Sequence, residues 1–155
     1  MAREISFDPI RQQQQVSMLP DIRLAIVINP ALPLGLIANT VGAISIGLGA
    51  KFPSLAARQL TDREARTIDI SSNMPVPILQ ADAETIRSLL LKTLPVENDR
   101  AIVPFPAFAR SLHDYREYEV TFPNRDLADE AIDGLGLAGP SKWVKSLTGS
   151  LKLLR

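Results

Sequence analysis

Residues 24–50, LAIVINPALPLGLIANTVGAISIGLGA, run between Arg23 and Lys51 without one charged side chain. In a chain with 22% charged residues, such a gap is expected to mark the most deeply buried part. It is either a membrane span or a core strand joined to a core helix. A span needs about 20 apolar residues in one continuous helix. Here Asn29-Pro30 and Pro33 interrupt the run after Leu24–Ile28. Proline removes a backbone donor, clashes with the preceding turn and pushes the residue before it out of the helical region. The remainder, Leu34–Ala50, would be about 25 Å long as a helix and carries Asn39, Thr40 and Ser45. The stretch therefore reads as a central strand, a tight turn and a core helix of a soluble protein, with no membrane partner.

Composition narrows the class of protein. At 155 residues the chain fits one domain, burying about 70% of the surface its unfolded form exposes. The 17 basic and 17 acidic residues cancel, and the sequence pI is about 6.6. A protein built to grip phosphate backbones shows a basic patch or a high pI, so nucleic acid is disfavoured as a partner. There is no cysteine and one histidine, His113. That excludes disulfides, thiolate zinc sites, a cysteine nucleophile and a multi-histidine metal site within one chain. No cofactor is indicated, and a cytoplasmic address is the default. The first twenty residues hold Arg3, Glu4, Asp8 and the tract Gln12–Gln15 and lack the apolar centre of a signal peptide. Residues 1–20 read as an arm, frayed or packed on a partner, and residues 21–155 as a single α/β domain.

Along that domain, branched residues at Leu24–Ile28 suit a strand covered on both faces. The helix that begins near Leu34 contains Gly35, Gly42, Gly47 and Gly49. Each glycine inside a helix costs about 1 kcal/mol relative to alanine, so close approach of another element is expected to offset them. Residues 58–70 read as a short edge hairpin, and Met74–Leu79 as an edge strand because Pro75 and Pro77 cannot donate to a ladder. Asp82 caps a helix with apolar residues Ile86, Leu89 and Leu90, ending at Pro95. Ala101–Phe105 is a strand and residues 109–119 a half-exposed helix. Asn124 or Asp126 caps a further helix through Ile132, with Gly134 as its stop. Leu135–Ala138 reads as a last short strand, and Pro140-Ser141 opens a final helical turn. Alternating strands and helices predict an α/β fold with helices on both faces of a small mixed, mostly parallel sheet.

Three segments together carry a resemblance: the strand-turn-helix with LPLGLIAN, residues 32–39; the PVPIL strand, residues 75–79; and the terminal LTGSLKLLR, residues 147–155. From about Arg23 onward the chain resembles the uncharacterised bacterial family catalogued as domain of unknown function two-thousand. The resemblance implies the three-layer α/β/α sandwich of type II peptidyl-tRNA hydrolases. In those hydrolases a glycine-lysine pair opens the first helix and an alanine-alanine-glutamine stretch follows. Gly35 matches the glycine, but Leu36 stands at the lysine position and Ala38-Asn39 where the later stretch would fall. The scaffold is thus expected to lack the hydrolase lysine.

The candidate ligand-binding residues are Asn29, Gly35, Asn39, Thr148, Gly149 and Ser150. The turn Asn29–Pro33 joins a strand end to a helix start, where α/β sheets bind ligands and free N–H groups attract anions; the favoured reading is a tight packed turn made by the two prolines and Gly35. Asn39 lies one turn past Gly35 within an apolar helix, where an unpaired amide would cost about 1–3 kcal/mol, so it is expected to have partners, either a ligand or a neighbouring loop. Thr148-Gly149-Ser150 reads as a helix C-terminal cap or a small anion nest. His113-Asp114 sits among Arg116, Glu117 and Glu119, the pattern of a solvated helix face, and no nucleophile elbow accompanies it. Trp143 reads as a core or dimer-interface anchor. These features predict a small-molecule or protein-binding module, homodimeric, with no catalytic or metal-binding residue assigned. The alternative is a hydrolase of peptidyl-tRNA or a related ester with a rearranged site around Asn29, Asn39 and Thr148.

Overall fold

The computed structural model describes residues 21–155; the arm assigned to residues 1–20 lies outside them. Ile22–Ile28, which contains the apolar run Leu24–Ile28, forms β1 at the centre of a five-stranded sheet. Across the sheet the order is β5 (Ala101–Pro106), β6 (Ile132–Pro140), β1, β4 (Ile78–Gln80) and β7 (Lys152–Leu153). Leu24 to Ile28 are all buried, as a continuous run of branched residues requires. The sheet is mixed, but the expectation of mostly parallel pairing is corrected. Only β1 and β4 run parallel; β6 is antiparallel to β1 and β5, and β7 is antiparallel to β4.

The sheet is covered on both faces. On one face Ile44 and Leu48 of α1 (Leu34–Lys51) pack with Leu24, Ile26 and Ile28. On the other, Ile86, Leu89 and Leu90 of α2 (Ala83–Thr93) and Val144 of α4 (Ser141–Thr148) pack with Ala25 and Val27. Strand alternation divides β1 between these two cores, since successive side chains point to opposite faces.

The segment after Asn124 departs most from the sequence reading. Asp126 makes a local turn, accepting from the Ala128 N–H at 2.9 Å, and no helix runs through Ile132. Ile132–Pro140 is instead a nine-residue strand between β5 and β1. Gly134 is not a helix stop, while Leu135–Ala138, read as a last short strand, lies within this longer one. A Cβ on Gly134 would meet Ile28, Thr40 and Ile44, and one on Gly136 would meet Ile44 and Leu48. Their hydrogens let α1 lie against the sheet. The close approach foreseen for the helix is therefore made mainly by glycines of the strand beneath it.

Four further expectations change in detail. The strand near residue 78 is short and lies inside the sheet, between β1 and β7, with Pro75 and Pro77 ahead of it. The Pro77 carbonyl still accepts from the Ile26 N–H at 3.0 Å, so a proline needs only its acceptor to extend the pairing. Residues 59–69 do form a hairpin, β2 (Gln59–Thr61) with β3 (Thr67–Asp69), but as a separate two-stranded sheet. Residues 107–121 split into a 3-10 turn at Ala107–Ser111 and α3 (Tyr115–Thr121). Finally, β7 has no counterpart in the sequence reading.

The cap of α2 is as read: the Asp82 carboxylate accepts from the Thr85 N–H at 2.7 Å. That backbone hydrogen bond is the main cause holding the Asp82 carboxyl below its ordinary value. A group with a depressed folded-state pKa gives stability that is fully present above its unfolded value and lost as the pH falls through the folded one. Asp82→Asn, which keeps capping capacity but cannot titrate, is accordingly expected to show a smaller loss of urea midpoint between pH 6 and pH 3 than wild type. Equal losses in the two proteins would remove Asp82 from the acid response.

Candidate functional site

The parallel pair β1 and β4 ends at one edge of the sheet, and the pairing continues there as the Ala81 N–H donates to the Ile28 carbonyl at 3.1 Å. Most of the residues singled out from sequence lie along or near this edge, each in its own local arrangement. The Asn29 side chain accepts from the Ala31 N–H at 3.0 Å, and its backbone N–H donates to the Asp133 carbonyl at 3.0 Å. Asn29 thus builds the proline turn with its own side chain, as short polar residues do in such turns. Gly35 is exposed, with open space where a Cβ would stand.

Asn39 is exposed on the outer side of α1. The premise that it lies inside an apolar helix is corrected: water can satisfy its amide. At the end of α4 the buried Thr148 hydroxyl donates to the Val144 carbonyl at 2.8 Å. The Gly149 N–H donates to the Lys145 carbonyl at 2.9 Å. Both groups complete the helix end. Ser150 lines a cavity of about 420 Å³ whose polar walls include Asp82, Thr85, Ser88 and Lys92. Asn29, Gly35 and Asn39 do not line it.

One polar pair at this edge was not singled out from sequence. Asp133, with a side chain 3% exposed, receives two hydrogen bonds from the Arg110 guanidinium, the Nη2 bond at 2.7 Å. The forked geometry suits a carboxylate, and the hydrogen bonds raise the Arg110 pKa further above its already high value. The two residues are 23 apart in sequence and carry no local signal. An aspartate between Ile132 and Gly134 in a strand-like run was the one available hint.

His113 is exposed. Its neighbour Asp114 caps α3 through the Arg116 N–H and holds the Arg116 guanidinium at 2.7 Å, so that carboxylate is engaged away from any triad. Trp143 is half-buried in the core on the α2 and α4 face, with the Arg100 guanidinium 4.8 Å from its ring.

The most distinctive surface lies on α1. Its inner stripe, Thr40, Ile44 and Leu48, is buried. Its outer side is not, which corrects the expectation that the whole charge-free run is core. A helix lying on a sheet can bury only one stripe, and the opposite side faces out whatever its polarity. Leu34 is 82% and Ile46 76% exposed. Gly42 and Gly49 have nothing within 4 Å of a would-be Cβ, whereas Gly47 presses on Val103. Apolar cavities flank the helix on both sides. One of about 460 Å³ lies between Ala43, Ile46, Gly47, Val103, Phe105 and Tyr118. The other, about 320 Å³, lies between Ser45, Gly49, Leu55 and Val76. Burial, and then the neighbouring Tyr115, push the Tyr118 hydroxyl upward, so it remains a neutral donor at physiological pH.

Residues 22–155 match the family described as "Protein of unknown function (DUF2000)". The chain belongs to this family. Among solved structures it is similar to the protein of unknown function Atu0240 from Agrobacterium tumefaciens strain C58. The two share 17% sequence identity with a TM-score of 0.77, over 87% of this chain and 98% of the other. At that identity the likeness establishes the shared fold. No curated protein matches the chain. The expected membership is thus shown, and neither the family nor the structural relative indicates a molecular function.

Proposed function

We propose that this member of the family is a binding module that acts through the outward face of α1 and associates there as a homodimer. The observation that carries the proposal is an 18-residue helix with no charged side chain before Lys51, turning Leu34 and Ile46 almost fully to solvent. An uncharged helix face that exposes large apolar side chains is a usual mark of an interaction site. A two-fold interface requires one patch to be self-complementary. A face without charge meets that requirement with no like charges to separate, and the glycines allow a second backbone to approach closely.

The scaffold beneath we take to be the peptidyl-tRNA-hydrolase-like α/β/α sandwich, a reading supported by helices on both faces of a mixed sheet. Leu36, half-buried at the position of the hydrolase lysine, favours binding over hydrolysis.

Sedimentation of the full chain tests the proposal. Wild type should dimerise, and Ile46→Glu should weaken association at least ~tenfold, about 1.4 kcal/mol, with circular dichroism unchanged. A wild-type protein that stays monomeric at high concentration overturns the proposal. So does one that leaves solution for phosphatidylcholine vesicles instead of self-associating.

A further inference from the structure

The hairpin β2–β3 has two unlike faces. One carries the cross-strand pairs Gln59–Asp69, hydrogen-bonded at 3.3 Å, and Thr61–Thr67, at 2.9 Å. The other carries Leu60 opposite Ile68. All six residues are exposed, Leu60 by 50% and Ile68 by 57%, and the principal contacts of β2 and β3 are with each other. At the tip the Asp62 carboxylate accepts from the Glu64 and Arg66 N–H groups, each at 2.9 Å, and from Arg66 Nε at 2.8 Å. The tip is therefore well built, while the body of the hairpin has an apolar face that is half-exposed among the described residues. A two-stranded hairpin is marginally stable in water unless it packs on something.

The size of the α1 face bears on what that is. An 18-residue helix is about 27 Å long and about 10 Å wide with its side chains, a footprint of roughly 270 Å². A stable dimer of ordinary size buries about 800 Å² on each partner. The α1 face alone falls well short, so a homodimer through α1 needs a second contact. The hairpin follows the C-terminal end of α1 after the short turn Pro53–Leu55. In an antiparallel pair of α1 helices, the C-terminal end of one lies beside the N-terminal end of the other. There Leu34, 82% exposed, also lacks cover.

We propose that the β2–β3 hairpin is a dimerisation arm whose Leu60–Ile68 face closes over Leu34 of a second copy of this chain. This rests on the homodimer reading and adds to it an antiparallel arrangement and a second contact. Association then depends on the hairpin, although the fold of one subunit does not. Leu60→Asp with Ile68→Asp is expected to weaken the dimer about tenfold or more in sedimentation, with the thermal transition of the monomer unchanged. Leu34→Lys and Ile68→Glu are each expected to weaken it, and the two together to recover part of the loss, since opposite charges would then face each other across the interface.

A wild-type dimer unaffected by Leu60→Asp with Ile68→Asp overturns the arm while leaving the α1 dimer standing. Lack of coupling between Leu34→Lys and Ile68→Glu overturns the antiparallel contact. A monomeric wild type overturns the homodimer itself, so the failure of each reading is distinguishable.

Discussion

Arg110→Ala is expected to destabilise the protein by about 3 kcal/mol, as breaking one side of a buried ion pair generally does. The cost is asymmetric between the partners. The Asp133 side chain is 3% exposed and that of Arg110 38%. Without Arg110, a carboxylate is left in the protein with its charge uncompensated. Without Asp133, the guanidinium can turn outward to water. Asp133→Ala should therefore cost clearly less than Arg110→Ala, nearer the roughly 1–3 kcal/mol of a lost charged hydrogen bond. Adding Asp133→Ala to Arg110→Ala should recover part of the larger loss. Urea unfolding of the three variants measures all of this. Equal losses for the two single variants, or a strictly additive double variant, would show that Asp133 is not the buried partner described here.

Gly136→Val should be the most damaging substitution of a single small residue, by about 3 kcal/mol, the upper part of the usual range for overpacking. The first atom that a Cβ at Gly136 would meet is Ile44 Cγ2, followed by Leu48 Cδ1 at 3.1 Å and Cγ at 3.3 Å. Ile44 Cγ2 is attached directly to Cβ and cannot swing clear as the end of a long chain would, so α1 itself must lift from the sheet. Gly136→Ala should be milder but still destabilising. The entropy that alanine removes from the unfolded chain offsets only about 0.4–1 kcal/mol. Gly35→Ala, by contrast, meets open space and should be neutral or stabilise by up to about 1 kcal/mol. Thermal unfolding of the three variants at a fixed, low protein concentration orders them. A Gly136→Val protein as stable as wild type would mean that α1 does not sit where the structure places it.

Arg110, Asp133 and Gly136 are residues whose importance was not evident from the chain. The turn at Asn29 could be read from its prolines, although the bond its side chain accepts from the Ala31 N–H two residues on was not foreseen. The Thr148 bond to the Val144 carbonyl is also local, one helical turn back. The Asp82 cap reaches only three residues ahead. Asp133 is different, because its partner comes from another element after a long intervening segment. Gly134 was misread for a related reason. A glycine after a polar stretch looks locally like a helix stop, and only the neighbours stacked above it reveal that it makes room for Thr40 and Ile44.

The sequence by itself determined the elements whose signals are local. Leu24–Ile28 is a central strand, Pro30 and Pro33 end it, a helix occupies the rest of the charge-free run, Asp82 opens another, and Ala101–Phe105 is a strand. Proline geometry, capping and apolar runs act over a few residues, so they can be read in order along the chain. Only the tertiary structure decided that β6 is a long strand lying antiparallel between β5 and β1, because strand partners are chosen by burial and pairing across the whole chain. It also decided the character of the stretch 24–50. The absence of charge does not reveal which side of a helix meets the sheet. Packing gives one stripe of α1 to the core and leaves the other, equally uncharged, facing outward.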